Sequence, residues 1–356
     1  MMLLQFSRRA MACEFELSVN AGQYDQAGAH ALAALDLIEQ LEAQLTVFRD
    51  TSEVMDINRR AAHQPVTVEP RLFALLETCL RLYRQTGGAV DITTGPLTKA
   101  WGFYRRQGRM PPADELRAAM TRVGSDKVEL DAQRRTIRFT TPGMEINLGS
   151  VGKGYALDRC AEELLARGVR DFCFHGGRSS VLARGAQVQD GMANDRMTNG
   201  EAQVPLRHSD IRDSSLTQPA ERRDVTSPSG GWHIGIADPL RPRRRLGQVR
   251  LRDRGLGTSG SGSQFFRHRG RRYGHILDPR TGWPVQGVYS VTVLAPTAAL
   301  ADALATALYV LGPEAAERYC REHPELAMFM VHREDGRPAV RSAGFAEGEL
   351  VRSASA

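Results

Sequence analysis

The chain has 356 residues, 42% hydrophobic and 25% charged, enough for one large or two medium domains with a packed core. No apolar run approaches the ~20 residues that a bilayer crossing takes, so no membrane span is expected. A net charge of +6 points weakly to an anionic ligand or partner, and five scattered cysteines without a C-x-x-C pair argue against a disulfide framework or zinc site.

In the opening MMLLQFSRRAMACEF, the basic pair follows the apolar run, the reverse of a signal peptide, so a cytoplasmic protein is expected. Glu14 to Val19 alternates as a strand does, and Tyr24 to Leu45 repeats apolar residues at helical spacing. A short segment opens at Thr51-Ser52-Glu53, and a helix over residues 71–86 closes at Gly87-Gly88. In AVDITTGPLTKAWGF, Gly95-Pro96 is expected to break any regular element. A surface helix from Pro111 to Val123 and a hairpin of Val128–Leu130 with Thr136–Phe139 follow. Glu145 to Leu148 reads as a short strand entering Gly149-Ser150-Val151-Gly152-Lys153-Gly154, with a helix behind it. That layout can cradle phosphate on backbone N–H groups, or be a tight turn with a surface lysine. Asp171 to Phe174 is a further strand leading into Gly176-Gly177.

From about residue 186 to 230 the chain is polar and aperiodic, which predicts an inserted, disordered loop. Strands are expected again at Trp232–Ile236 and Val249–Leu251. The stretch from Gly257 to Gly312 is the richest in chemistry. It opens with a Gly/Ser/Thr-rich loop, GTSGSG, and includes the turn His275-Ile276-Leu277-Asp278-Pro279-Arg280-Thr281-Gly282. Asp-Pro and Thr-Gly present His275 and Asp278 at a strand end. A strand over Tyr289–Leu294 precedes a helix that starts at Thr297 and stops at Gly312-Pro313. That helix is apolar nearly all round, yet Asp302 and Thr306 share one face of it. Either their oxygens hold Mg²⁺, or Asp302 is merely hydrogen-bonded while Thr306 bonds back to the helix carbonyls. A helix over 314–322, a strand over Ala327–His332 and a dispensable, flexible tail at 346–356 complete the reading. Arginines cluster at 241–245 and 267–272, as a solvated face or a nucleic-acid surface.

The ordered series SEVMDINRRA, GGAVDITTGPLTKAWGF, NLGSVGKGYALD, HGG, TSG, HILDPRTG and ADALAT resembles the ApbE family of FAD:protein FMN transferases. The resemblance implies an α+β fold, T-fold-like, with mixed or antiparallel sheets packed with helices, as a single domain over 11–332. It implies FAD as substrate, Mg²⁺ as cofactor, an acceptor protein with a Thr/Ser flavinylation motif, and no nucleic acid. AMP would leave as FMN joins the acceptor. Asp302, Thr306 and the Ser150 carbonyl would hold Mg²⁺; Met11, Phe48, Ala89, Val90, Asp91, Asn147, Lys153 and Ile276 would contact the dinucleotide. His275 would be the base for the acceptor hydroxyl, an ordinary role for imidazole near neutral pH. Asn147 stands where the family has Asp, Ser150 where it has Gly or Ala, and Gly152 where it has Ala. Arg178 stands where a small acid or amide is common. The rival readings are an FAD pyrophosphatase, a hydrolase built from Ser259 or Ser261 with His275 and Asp278, and a non-catalytic flavin- or RNA-binding protein.

Overall fold

The computed structural model describes residues 2–188, 230–262 and 264–353. Most of the polar insertion read from the sequence, 189–229, therefore lies outside the described residues. The chain opens with strands β1 (Leu3–Ala10) and β2 (Cys13–Asn20), then helices α1 (Ala27–Leu45) and α2 (Glu53–Arg60). Next come β3 (Val66–Thr67), α3 (Pro70–Gln85), α4 (Gly95–Ala100), α5 (Ala113–Met120), β4 (Val128–Asp131) and β5 (Thr136–Phe139). Helix α6 (Gly152–Ala166) leads to β6 (Phe172–Gly176) and β7 (Ser180–Arg184), and past the insertion to β8 (Trp232–Ala237), β9 (Arg245–Leu251) and β10 (Arg254–Gly260). A hairpin of β11 (Phe265–His268) and β12 (Arg271–Gly274) precedes β13 (Val288–Ala295), α7 (Ala298–Leu311) and α8 (Pro313–Glu322). Strands β14 (Ala327–Glu334), β15 (Arg337–Ala343) and β16 (Leu350–Arg352) end the described chain.

The fold is α+β, built on an eight-stranded sheet in the order β1-β2-β6-β7-β10-β13-β14-β15. Every strand pairing among the described residues is antiparallel, so the mixed alternative falls away. One face packs Phe15, Leu17, Phe174 and Val293 against α1, α6 and α7. The other packs Cys173, Val181, Leu256 and Phe329 under Trp232, Val249 and Leu251 of the small sheet β16-β9-β8. Burying both faces of a sheet between layers is the ordinary solution to its two apolar surfaces.

Four local expectations are corrected. The Gly/Ser/Thr run is not a loop but β10, at the centre of the sheet. Its glycines are there because α7 lies on the strand: a Cβ at Gly257 would stand 2.5 Å from backbone atoms of Ala301 and Asp302. Gly95-Pro96 opens α4 where a break was expected, since proline suits a first helical turn. Residues 145–148 join no strand; Asn58 Nδ2 donates to the Ile146 carbonyl (3.0 Å) and Asn58 Oδ1 accepts from its N–H (2.8 Å), in place of a neighbouring strand. The tail read as flexible carries β16, which pairs with β9.

Helix α7 keeps its expected ends. The Thr297 hydroxyl accepts from the Leu300 N–H (3.2 Å), and Gly312 closes it with φ of 80°. It is buried on nearly every side: Leu304 and Leu308 as fully as Ala301, Ala303, Ala305 and Ala307, while Leu300 and Leu311 are half-buried. Asp158 of α6 adds a cap missed in the sequence, accepting from the Ala298 and Ala299 N–H groups (2.8 Å each) at the positive end of α7.

Candidate functional site

A cavity of about 680 Å³ opens where the β1–β2 turn, the end of α1, the loop before α6, the end of β10 and the face of α7 converge. That volume is ordinary for a site that encloses a small molecule. All twelve residues singled out in the sequence line it: Met11, Phe48, Ala89, Val90, Asp91, Asn147, Ser150, Lys153, His275, Ile276, Asp302 and Thr306. Met11 and Ala12 form the two-residue hairpin turn between paired Ala10 and Cys13, with φ of 47° and 59°. A turn with both central φ positive normally takes Asn-Gly, so a strained non-glycine pair sits at the cavity wall. Phe48 is 69% exposed at the rim, its ring 4.8 Å from that of Tyr104, whose hydroxyl donates to the Val47 carbonyl (2.7 Å).

Asp302 lies at the cavity floor with its carboxylate buried. The Ser180 hydroxyl donates to both of its oxygens (2.8 Å each) and the Gly154 N–H to one of them (2.8 Å). Burial pushes the carboxyl up to about 6, opposed by Lys153 and these two donors. The Thr306 hydroxyl bonds back to the Asp302 carbonyl (3.3 Å) and meets the Ser259 hydroxyl at 3.0 Å. The bland reading of Thr306 is thus realised, and it leaves acceptor capacity on the oxygen. Lys153 Nζ donates to the Ser179 hydroxyl (2.6 Å).

The glycine loop works differently from a backbone phosphate cradle. Gly154 donates to Asp302, Gly149 to Asn147 Oδ1 (2.9 Å), and Val151 and Gly152 to the Leu148 carbonyl (3.0 and 2.7 Å). A Cβ on Gly154 would meet the Ala298 carbonyl oxygen at 2.2 Å, so this glycine serves the close approach of α6 to α7. A Cβ on Gly152 would meet nothing within 4 Å, so glycine in place of the family's alanine costs no packing. Asn147 closes its turn with a side-chain oxygen that Asp would also supply. Asp91 is engaged internally, accepting from the Thr93 N–H (2.8 Å) and hydroxyl (2.7 Å) and the Ser125 hydroxyl (2.6 Å) and N–H (3.1 Å).

His275 follows β12 directly. Its Nδ1 lies 3.2 Å from the Gln264 carbonyl, which can only accept; the proton is on Nδ1, and Nε2 keeps a lone pair. Burial, with Lys153 adding to it, lowers the imidazole below the usual His value, so it is neutral at pH 7. The Trp101 indole N–H donates to the Gly282 carbonyl (2.8 Å) and pins the turn behind it. Asp278 does not orient His275. Its carboxylate takes Arg280 Nε and Nη2 (2.9 Å each). The Ser261 hydroxyl accepts from Tyr309 (3.1 Å) and that of Ser259 meets Thr306, so the serine hydrolase reading has no triad.

Sequence reasoning missed Ser179, Ser180, Asp158 and Gln264. Ser179 and Ser180 directly follow HGG and Arg178 in the sequence, and Arg178 does not line the cavity. Gln264 carried no signal, since its role is played by its backbone carbonyl.

The family model described as the ApbE family matches residues 11–330. An FAD:protein FMN transferase of Treponema pallidum (strain Nichols) is 32% identical over 295 residues, covering 81% of this chain and 73% of its own. One from Klebsiella pneumoniae (strain 342) is 31% identical over 319 residues, covering 87% and 79%. Among solved structures, the flavinyl transferase ApbE of Pseudomonas stutzeri superposes with TM-score 0.75 at 25% identity, covering 96% of this chain and 95% of that one. The ApbE protein of Thermotoga maritima MSB8 gives 0.76 at 24% identity, covering 96% and 97%, a likeness of fold.

Proposed function

The chain belongs to the ApbE family, and from that premise we infer that it is an FAD:protein FMN transferase, moving FMN from FAD to a hydroxyl of an acceptor protein. One observation carries the reading to this chain: a neutral imidazole with Nε2 free stands in the same cavity as a buried carboxylate, a lysine and a run of hydroxyls. In the proposed step the Thr or Ser hydroxyl oxygen attacks the flavin-side phosphorus of the pyrophosphate. The P–O bond to AMP breaks, AMP keeps the electron pair, and the hydroxyl proton passes to His275 Nε2. Lys153, whose Nζ donates to the Ser179 hydroxyl, would meet phosphate charge.

The donor set fits Mg²⁺. Asp302 is a buried carboxylate held by two neutral donors, and Thr306 and Ser150, which line the same cavity, would add hard oxygens. Among the described residues no three of His, Cys, Asp or Glu cluster as a full protein cage. Mg²⁺ takes few protein ligands when phosphate and water complete its shell. Bound there, it would neutralise charge developing on the pyrophosphate.

The test is incubation with FAD, Mg²⁺ and an acceptor domain bearing a Thr flavinylation motif. Covalent flavin on the denatured acceptor with equimolar AMP is expected. FMN and AMP without the adduct would make the protein a pyrophosphatase, and no AMP would refute both. Asp302→Ala should abolish metal-dependent turnover, whereas His275→Ala should lose transfer and retain FAD binding.

A further inference from the structure

We propose that the β11–β12 hairpin is the docking surface for the acceptor protein and selects acceptors whose reactive hydroxyl is flanked by acidic residues. The proposal rests on the transferase reading above. From Arg254 to Leu277 the sequence has no Asp or Glu, yet Arg267, Arg269, Arg271 and Arg272 fall within it. None of the four has a carboxylate within ion-pair distance among the described residues, although 14 other arginines with both partners described do. Four like charges on a ten-residue hairpin repel one another unless something anionic covers them.

The cavity does not use them. None of the four lines it, so they lie outside the space in which the dinucleotide is placed. The hairpin is nonetheless tied to the site at its base, where the Gln264 carbonyl accepts from both the N–H and Nδ1 of His275 (3.2 Å each). A chain lying along the hairpin is thereby led to the proposed base.

The pleat separates two faces. Phe266 and Tyr273, paired across the strands, turn inward and stack with each other (5.3 Å) and against Trp101 (6.1 and 6.0 Å). Phe265, Arg267 and Arg272 share the opposite face, where the Arg272 guanidinium lies 3.8 Å over the Phe265 ring. Phe265 is 42% exposed, and Trp283, on the turn after His275, is 47% exposed. Exposed aromatics beside arginine are the composition of a protein-binding patch, and the charge selects an acidic partner. Arg272 is tied to the chain before the hairpin, its Nη2 donating to the Ser261 carbonyl, and its Nε is buried, so the charge offered to a partner is mainly that of Arg267, Arg269 and Arg271. At ~3.3 Å per residue, Arg267 stands about 10 Å from Gln264, within reach of side chains a few positions from the acceptor hydroxyl.

The test uses the full chain and two synthetic peptides, each with one Thr, flanked by Asp and Glu in one and by Asn and Gln in the other. The variant is Arg267→Glu with Arg269→Asn; asparagine tolerates the left-handed backbone at 269, where φ is 49°. Tighter binding of the acidic peptide by about tenfold is expected, weakening with salt and lost in the variant, with FAD affinity unchanged. Equal binding of the two peptides, an unaffected variant, or displacement of the acidic peptide only by a single-stranded RNA would overturn the proposal. If the wild type releases no AMP from FAD, the transferase reading itself fails and the proposal with it; AMP release without acidic preference refutes the proposal alone.

Discussion

Ser180 donates to both oxygens of Asp302, so a single hydroxyl fixes the plane of the carboxylate proposed to bind metal. Outer partners of this kind typically change metal affinity by about 10–100-fold when removed. Ser180→Ala should therefore weaken Mn²⁺ binding, read directly by titration, while the far-ultraviolet spectrum is retained. Unchanged affinity would leave Ser180 as a filler of space. His275 gives a second residue-scale expectation. Its folded pKa is lowered, so the proton-accepting form predominates at pH 7 and is lost as pH falls below the ordinary His value. Transfer should decline on that acid side, and His275→Gln should lower it by about 10²–10⁴-fold and change that limb, leaving only what protonation of Asp302 contributes. A pH profile identical in the two proteins would remove His275 from the proton-transfer step. Much of this chemistry was legible because His275, Lys153, Asp302 and Thr306 each sit in a short motif bounded by turn or helix signals. Ser180 was not, since its partner lies 122 residues away in sequence and a serine gains meaning only from what it faces.

At the scale of elements, the approach of α7 to β10 decides whether Asp302 reaches the cavity. Gly255 and Gly257 present no side chain to the helix: a Cβ at Gly255 would lie 2.4 Å from the Ala298 nitrogen, and at Gly257 2.5 Å from Ala301. The obstructing atoms are backbone, so the helix itself would have to move. Gly257→Ala should destabilise the protein by roughly 1–3 kcal/mol and reduce metal binding with it, measured by urea unfolding and the same titration. A variant of native stability would mean that α7 does not rest on this strand. The same contact explains why sequence periodicity misread β10. Glycine and serine usually mark loops, but a strand with a helix pressed against its backbone needs them. Helix α7 was legible because its signals are local: the Thr297 cap, the apolar run and the Gly312-Pro313 stop.

For the whole molecule, the eight-stranded sheet carries the site on its helical side and needs a cover on the other. That cover is the β16-β9-β8 sheet, whose last strand comes from the tail. Leu350, Val351 and Arg352 pair with Val249, Gln248 and Gly247. One residue earlier, Glu349 accepts from Arg254 Nη1 at 2.8 Å, with side chains only 12% and 22% exposed, and its backbone carbonyl accepts from Arg250 (2.9 Å). Arg254 opens β10, so the tail is fastened to the strand that holds up α7. Its Nη2 also donates to the Glu325 carbonyl (2.6 Å), joining the start of β10 to the turn before β14. The tail looked dispensable in the sequence because three strand residues among Ser, Gly and Ala give no periodicity, and Glu349 acquires its value from Arg254. Ending the chain after Gly344 should strand Arg254 in a half-buried site and open one edge of the covering sheet, a loss of about 3 kcal/mol or more. The midpoint of urea unfolding would measure it, and Glu349→Gln should give a smaller part of the same loss by keeping the shape and removing the charge. A truncated protein as stable as the full chain would show that the sheet keeps its cover without β16, and that the sequence reading of the tail was correct.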